Sequence, residues 1–163
     1  LIYVSSTGVF KDHKSIPAYT EHYEFTSKEQ EQSQLVQAER FISNEKSFKT
    51  TIIRFGGLIG NDRHPVKYLA GKTNLKNADA PVNLIHLDNC ILLISEIIKK
   101  EKFGMVFHGV EDVQLTKEEY YSQKAEEMNL SSPEFDRSEH TLGKRINMGW
   151  TEKQLGLRLN KMV

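Results

Sequence analysis

The sequence lacks the features of disulfide-bonded, nucleic-acid-binding and membrane proteins. Cys90 is the single cysteine among 163 residues, so no disulfide can form within the chain. Lysine plus arginine and aspartate plus glutamate number 22 each, so the net charge offers no attraction to nucleic acid or anionic lipid. The longest apolar stretches, such as Cys90–Ile94, fall far short of the ~20 residues of a membrane span. We therefore expect a cytoplasmic protein with neither nucleic-acid nor membrane partners.

Metal ligands are also scarce. The 6 histidines are scattered, and no two stand at the i, i+4 spacing that brings imidazoles together on one helix face. A thiolate site is excluded by the single cysteine, for which a small core residue is the ordinary role. We expect no metal.

Alternating strand and helix patterns predict an α/β fold. Leu1–Val4 has the composition of a buried parallel strand, and β-branched residues over 50–55 predict a second strand. Between them, the run from Thr26 to Asn44 predicts one helix, with Leu35 among the residues of its apolar stripe. Crossovers of this kind almost always join parallel strands, so the sheet is expected to be parallel.

The later elements are shorter, and the polar stretch up to Phe25 shows no regular pattern. Capping residues and apolar periodicity predict a helix over 65–70, an extended segment over 82–86, a helix over 89–100 capped by Asp88, a strand over 103–108, a helix over 116–128, an edge strand over 145–147 and a last helix over 151–155.

Three segments at predicted strand ends carry recognisable motifs. The first, Tyr3–Asp12, has several hydroxyl residues before Val9 and an aromatic residue. The second, Ile53–Pro65, has an arginine followed by glycines and a later Gly-x-x-Arg-x-Pro. The third, Val82–Cys90, contains Asn-x-x-His-x-Asp. In this order they resemble the motifs of extended short-chain dehydrogenases/reductases of the NAD-dependent epimerase/dehydratase family. Phe10 departs from that pattern, since it replaces a tyrosine. The resemblance covers roughly residues 1 to 110.

The resemblance implies the C-terminal part of a Rossmann-like, doubly wound parallel sheet plus a small substrate-side α+β region. Within a single domain of residues 1–163, the Rossmann-like part is expected over 1–60 and 82–110, and the substrate-side region over 61–81 and 111–163. The family's glycine-rich dinucleotide loop is absent. We therefore expect a longer parent that binds NAD or NADP, whereas this chain alone is expected to bind neither.

The resemblance also implies roles for individual residues. Ser6 matches the hydroxyl that hydrogen-bonds a substrate oxygen during hydride transfer. The cofactor side would comprise Ser5, Ser6, Arg54, Phe55, Gly56 and Gly57, and the substrate side Thr7, Arg63, His64, Asn83 and His86. The implied ligand is a small molecule resembling a nucleotide sugar. For a single serine or histidine, the alternative is a purely structural hydrogen bond.

The catalytic Tyr-x-x-x-Lys pair of the family is missing from the predicted helix. Counting back from Glu39 places Leu35 at the lysine position and Glu31 at the tyrosine position, so Glu31 is the residue assigned to the acid. The strings Tyr68–Lys72 and Tyr120–Lys124 have the right spacing but follow the arginine strand, so we interpret them as chance matches. The sequence therefore predicts a catalytically degenerate protein.

Two further classes of function remain open at this stage. One is a non-catalytic sensor or scaffold that depends on a dinucleotide. The other is a self-standing α/β binding module that pairs its exposed strand edge with another copy, forming a homo-oligomer.

Overall fold

A computed structural model describes residues 1–163. In chain order its elements are β1 (Ile2–Ser6), a 3-10 turn (Thr7–Val9), β2 (Ala18–Tyr19), α1 (Ser27–Gln32), α2 (Gln34–Ser43), β3 (Thr51–Phe55), β4 (Gly57–Ile59), α3 (Val66–Leu69), β5 (Leu84–His86), α4 (Leu87–Lys99), β6 (Val106–Gly109), α5 (Lys117–Glu127), β7 (Arg145–Ile146) and α6 (Gly149–Leu155).

Three strands form the main sheet, and all of them run in parallel. Their order is β1–β3–β6, which makes β3 the central strand. The chain passes from β1 to its neighbour β3 through α1 and α2, so the predicted α/β fold with a parallel sheet is confirmed. Two smaller parallel pairs, β4–β5 and β2–β7, lie outside this sheet.

The predicted helix over 26–44 is divided at Ser33. This residue has an extended backbone (φ −108, ψ 111), and its hydroxyl accepts the backbone N–H of Val36, so α2 has an N-cap of its own. α1 begins separately at a capping box formed by Thr26 and Glu29. The prediction of one continuous helix was wrong, because a serine side chain can satisfy the free N–H groups of a new helix start.

Leu1–Val4 contributes to a parallel strand as predicted, but the prediction that this strand is buried was wrong. Leu1 is 55% exposed and Val4 is 53% exposed, and of the strand's residues only Ser5 is buried. The cause is the position of β1 at the edge of the sheet, where it pairs with β3 alone. The backbone groups on its outer side therefore remain available for pairing.

Three local predictions need smaller corrections. α4 is capped by His86, whose Nδ1 accepts the backbone N–H of Asp88, rather than by Asp88 itself. Gly57 begins a further short strand, β4, and the stretch before Phe25 contains β2, paired with β7. Strands of two or three residues are too short to show an alternating pattern, which is why β2 and β4 were not predicted.

Apolar side chains pack into two clusters. The larger has 15 buried residues and joins the main sheet to α2, α4 and α6. The smaller has 7 buried residues and joins β4 and β5 to α3 and α5. None of the helices has the length and apolar content needed to cross a membrane.

Candidate functional site

A row of polar side chains crosses the main sheet beneath α2. Ser5, Arg54 and His108 are partners in register on β1, β3 and β6, so they project from the same face. Glu39 of α2 meets this row: its Oε1 accepts the Ser5 hydroxyl at 2.6 Å, and its Oε2 accepts Arg54 Nη2 at 2.7 Å. Arg54 is 4% exposed and Glu39 is 3% exposed. This ion pair therefore lies in the interior and ties α2 to two strands.

Aromatic rings and a neutral histidine complete this interior row. The Arg54 guanidinium carbon lies 5.1 Å from the ring centre of Phe10 and 5.2 Å from that of Phe25, which are cation–π distances. Because a carbonyl can only accept, His108 Nδ1 must donate to the Asn147 carbonyl at 2.9 Å. Burial lowers the pKa of His108, which favours the neutral ring.

A cleft of about 260 Å³ opens beside the carboxyl end of β1. Thr7 and Gly8 form one wall, residues 80–84 form another, and Lys117 and Tyr121 of α5 form a third. Ligands of parallel α/β sheets bind beyond the carboxyl ends of the strands, so this cleft is the candidate site. Of the residues predicted to contact substrate, it brings together Thr7 and Asn83. The remaining lining side chains include Asp12 and Lys144.

A larger depression of about 700 Å³ adjoins the cleft across residues 81–83, which line both. It extends past the end of β6 to the C-terminal segment. Its charged lining residues balance in sign, being Glu111, Asp112 and Glu152 against Arg145, Arg158 and Lys161.

Asn83 is held in place by the chain itself. Its Nδ2 donates to the Lys144 carbonyl at 2.9 Å, and its Oδ1 accepts the backbone N–H of Ile146 at 3.2 Å. The side-chain amide therefore fastens the wall of the cleft to β7.

The residues assigned to catalysis lie apart from one another. Ser6 Oγ accepts the backbone N–H of Gly8 at 3.0 Å and so caps the 3-10 turn. Leu35 packs beside this turn, 3.3 Å from the point that a Cβ on Gly8 would occupy. Glu31 is exposed and belongs to α1, across the break at Ser33 from Leu35. The two positions therefore do not form the one-faced pair that acid–base work requires.

The residues assigned to the cofactor side are largely occupied by internal contacts. Ser5, Arg54 and Phe55 are buried in the sheet. A Cβ on Gly56 would lie 2.6 Å from the carbonyl oxygen of Asn83, and Gly57 N–H donates to that same oxygen at 2.8 Å. A side chain at Gly56 would collide with the Asn83 carbonyl, so glycine is required there. Close packing of the chain therefore explains this glycine by itself, whether or not a cofactor lies nearby.

Three predicted substrate residues lie outside the 260 Å³ cleft. Arg63 is exposed in the loop after β4. His64 Nε2 is hydrogen-bonded to the buried Tyr120 hydroxyl at 2.9 Å, and its Nδ1 accepts the backbone N–H of Val66. His86 caps α4. Their contribution to ligand binding stays a prediction. Both histidines make hydrogen bonds within the chain, which is the purely structural role given above as the alternative.

Lys117 and Tyr121 are the cleft residues that the sequence interpretation missed. They stand four residues apart on α5 and line the cleft together. A search for Tyr-x-x-x-Lys finds the neighbouring Tyr120 and Lys124, whereas the pair that faces the cleft has the opposite order. A search for aromatic and basic residues at i, i+4 spacing in either order would have found it.

The fold is that of NAD-dependent epimerase/dehydratase proteins, the class that the motifs had indicated. A conserved protein of unknown function from Silicibacter pomeroyi superposes with a TM-score of 0.77 at 19% identity, covering 97% of this chain and 60% of that one. UDP-glucuronic acid 4-epimerase from Bacillus cereus, in complex with NAD, gives a TM-score of 0.71 at 12% identity, covering 98% of this chain and 56% of the epimerase.

Among curated proteins, the chain is similar to Protein YeeZ of Escherichia coli strain K12, with 28% identity over 139 residues. The matched region is 85% of this chain but 49% of YeeZ, so the chain spans about half the length of that relative. No family model matches the sequence.

Proposed function

We propose that this chain is the C-terminal part of an NAD(P)-dependent, nucleotide-sugar epimerase/dehydratase-like protein that has lost its catalytic acid. The observation that carries the proposal is the cleft at the end of β1, which contains Thr7 and Asn83 from two of the three family-like motifs. Its size suits one sugar ring, because sites for drug-sized ligands usually start at about 300 Å³. The adjoining depression of about 700 Å³ gives room for a nucleotide.

The loss of catalysis is inferred from the surroundings of the turn after β1. Leu35, which the resemblance places at the position of the family's lysine, puts a methyl group beside Gly8 and offers no ammonium there. Glu31 is solvent-exposed on a separate helix, and a carboxyl group is a poor substitute for a phenol as the general acid. Ser6 then remains as a hydrogen-bonding group without an acid partner.

The chain by itself does not offer a pyrophosphate site. Such sites use a Gly-x-Gly-x-x-Gly loop leading into a helix, and no string of this spacing occurs in the sequence. We expect NAD(H) and NADP(H) to bind the 163-residue chain with dissociation constants of about 1 mM or weaker, measured by calorimetric titration. Micromolar affinity for either cofactor would contradict the absence of a pyrophosphate site.

The proposed loss of activity can be tested in a chain that also carries a dinucleotide-binding half. We expect turnover of a nucleotide-sugar panel to be about 10²- to 10⁴-fold below that of active family members, the contribution of general acid–base catalysis. Substituting Glu31→Tyr and Leu35→Lys should restore little, because the break at Ser33 separates the two positions. The matched comparison is the same double variant with Ser33→Ala added. This substitution favours a continuous helix, which would place positions 31 and 35 on one face.

The opposite result is equally specific. If the unmodified chain turned over a nucleotide sugar at an ordinary enzymatic rate, and Glu31→Gln left that rate unchanged, another residue would be the acid and the degenerate function would be rejected.

A further inference from the structure

Three polar side chains that make no hydrogen bond or ion pair within the chain line the cleft beside β1. They are those of Lys117, Tyr121 and Thr7. The other ammonium is already engaged, since Lys144 Nζ donates to the Phe10 carbonyl at 2.7 Å. Thr7 is 6% exposed and Tyr121 is 9% exposed, so both residues are largely enclosed by the protein.

The charge of the cleft is positive. Two ammonium groups, on Lys117 and Lys144, face a single carboxylate, Asp12, which pairs with Lys144 at 3.4 Å. Burial lowers the pKa of Lys117, the carboxylate of Asp12 acts in the opposite direction, and the neighbouring ammonium lowers it further. A half-buried ammonium without a counterion is unfavourable, and a bound anion would remove that cost.

The hydroxyls in the cleft are suited to donate to the same anion. Burial raises the pKa of Tyr121, so its phenol keeps its proton at neutral pH. Thr7 adds a second hydroxyl from the opposite wall. Hydrogen bonds from such donors to a charged acceptor are among the strong ones in proteins.

We propose that this cleft binds the anionic oxygen group of a small sugar ligand, a carboxylate or a phosphate, with Lys117 as its ion-pair partner and Tyr121 and Thr7 as hydrogen-bond donors. The inference rests on the proposed function, because it names the charged group that the same cleft accepts. The adjoining depression is a weaker candidate, because its lining carries three charges of each sign.

The probes are inorganic phosphate, glucuronate and glucose, added to the ¹⁵N-labelled 163-residue chain. We expect phosphate or glucuronate to shift the backbone amide signals of Gly8 and Gly143, which line the cleft, while neutral glucose does not. Whichever of the two anions binds more tightly shows whether the charged group is a phosphate or the carboxylate of a uronic acid. Shifts produced equally by glucose would overturn the proposal, as would shifts confined to residues outside the cleft.

Variants of Lys117 provide a second test of the anion site. Lys117→Met should weaken binding of the anion about 10- to 100-fold, whereas Lys117→Arg keeps the charge and should retain most of it. Lys153→Met, which removes an exposed ammonium on α6, is the matched control and should have no effect. Undiminished affinity in Lys117→Met, with Lys117→Arg unchanged as well, would overturn the assignment.

The outcome separates the two proposals. If the chain bound phosphate through Lys117 but did not bind UDP-glucuronic acid, the nucleotide-sugar function would fail and the anion site would stand. If it bound UDP-glucuronic acid with equal affinity after Lys117→Met, the anion site would fail and the broader function would stand.

Discussion

Replacing Arg54 by methionine is expected to lower the free energy of unfolding by about 3–5 kcal/mol, the usual cost of removing one partner of a buried ion pair. The carboxylate of Glu39 would keep only the Ser5 hydroxyl as a partner in an interior where it is 3% exposed. Urea denaturation followed by circular dichroism measures the loss. The aromatic contacts of Phe10 and Phe25 with the guanidinium would be lost as well.

Two variants make this result specific. Replacing both partners, as Arg54→Met with Glu39→Leu, removes the unpaired charge and should restore much of the stability. Lys76→Met removes the exposed ion pair with Asp136 and should leave stability almost unchanged. A loss below about 1 kcal/mol in Arg54→Met would show that water or another hydrogen-bond donor reaches the Glu39 carboxylate.

The second large effect concerns self-association of the 163-residue chain through the free edge of β1. This edge carries unpaired backbone groups, and the apolar side chains of Leu1 and Val4 are more than half exposed beside it. Exposed edges of this kind pair with another chain. We expect sedimentation to show dimers or larger species, and Val4→Lys to weaken association at least about tenfold, ~1.4 kcal/mol.

The control for association is Ile98→Lys. Ile98 is also half-exposed, at 52%, but lies at the end of α4 away from the free strand edge, so this charge should leave association unchanged. A monomeric wild-type chain with a cooperative melt would contradict the prediction of edge pairing.

The sequence predicted the parts of the fold that depend on long apolar patterns and on strong caps. The parallel pairing of β1 with β3 followed from the strand–helix–strand order, and Thr116 caps α5 in the predicted capping box. Two of the three motif segments contribute to one cleft, where Thr7 and Asn83 are found together. These features are local or follow from general rules of chain connection.

The remaining features depend on contacts that a linear pattern does not encode. The break at Ser33 is small in sequence terms, yet it separates Glu31 from Leu35 and removes the basis for counting positions along one helix. Lys117 reaches the cleft because α5 packs in the same apolar cluster as β5, although 30 residues separate the two elements along the chain. The edge position of β1 likewise depends on strand order, which is why Val4 is exposed despite its apolar composition.

The two apolar clusters have a mechanical consequence for the cleft. Thr7 and Gly8 continue from the main sheet, whereas Leu84 and Tyr121 belong to the smaller cluster, so the cleft lies where the two clusters meet. β5 contributes Ile85 to the larger cluster and Leu84 to the smaller one, so this strand couples the two. A ligand that contacts both Thr7 and Tyr121 would therefore add a second connection between the clusters and stabilise the fold through mass action.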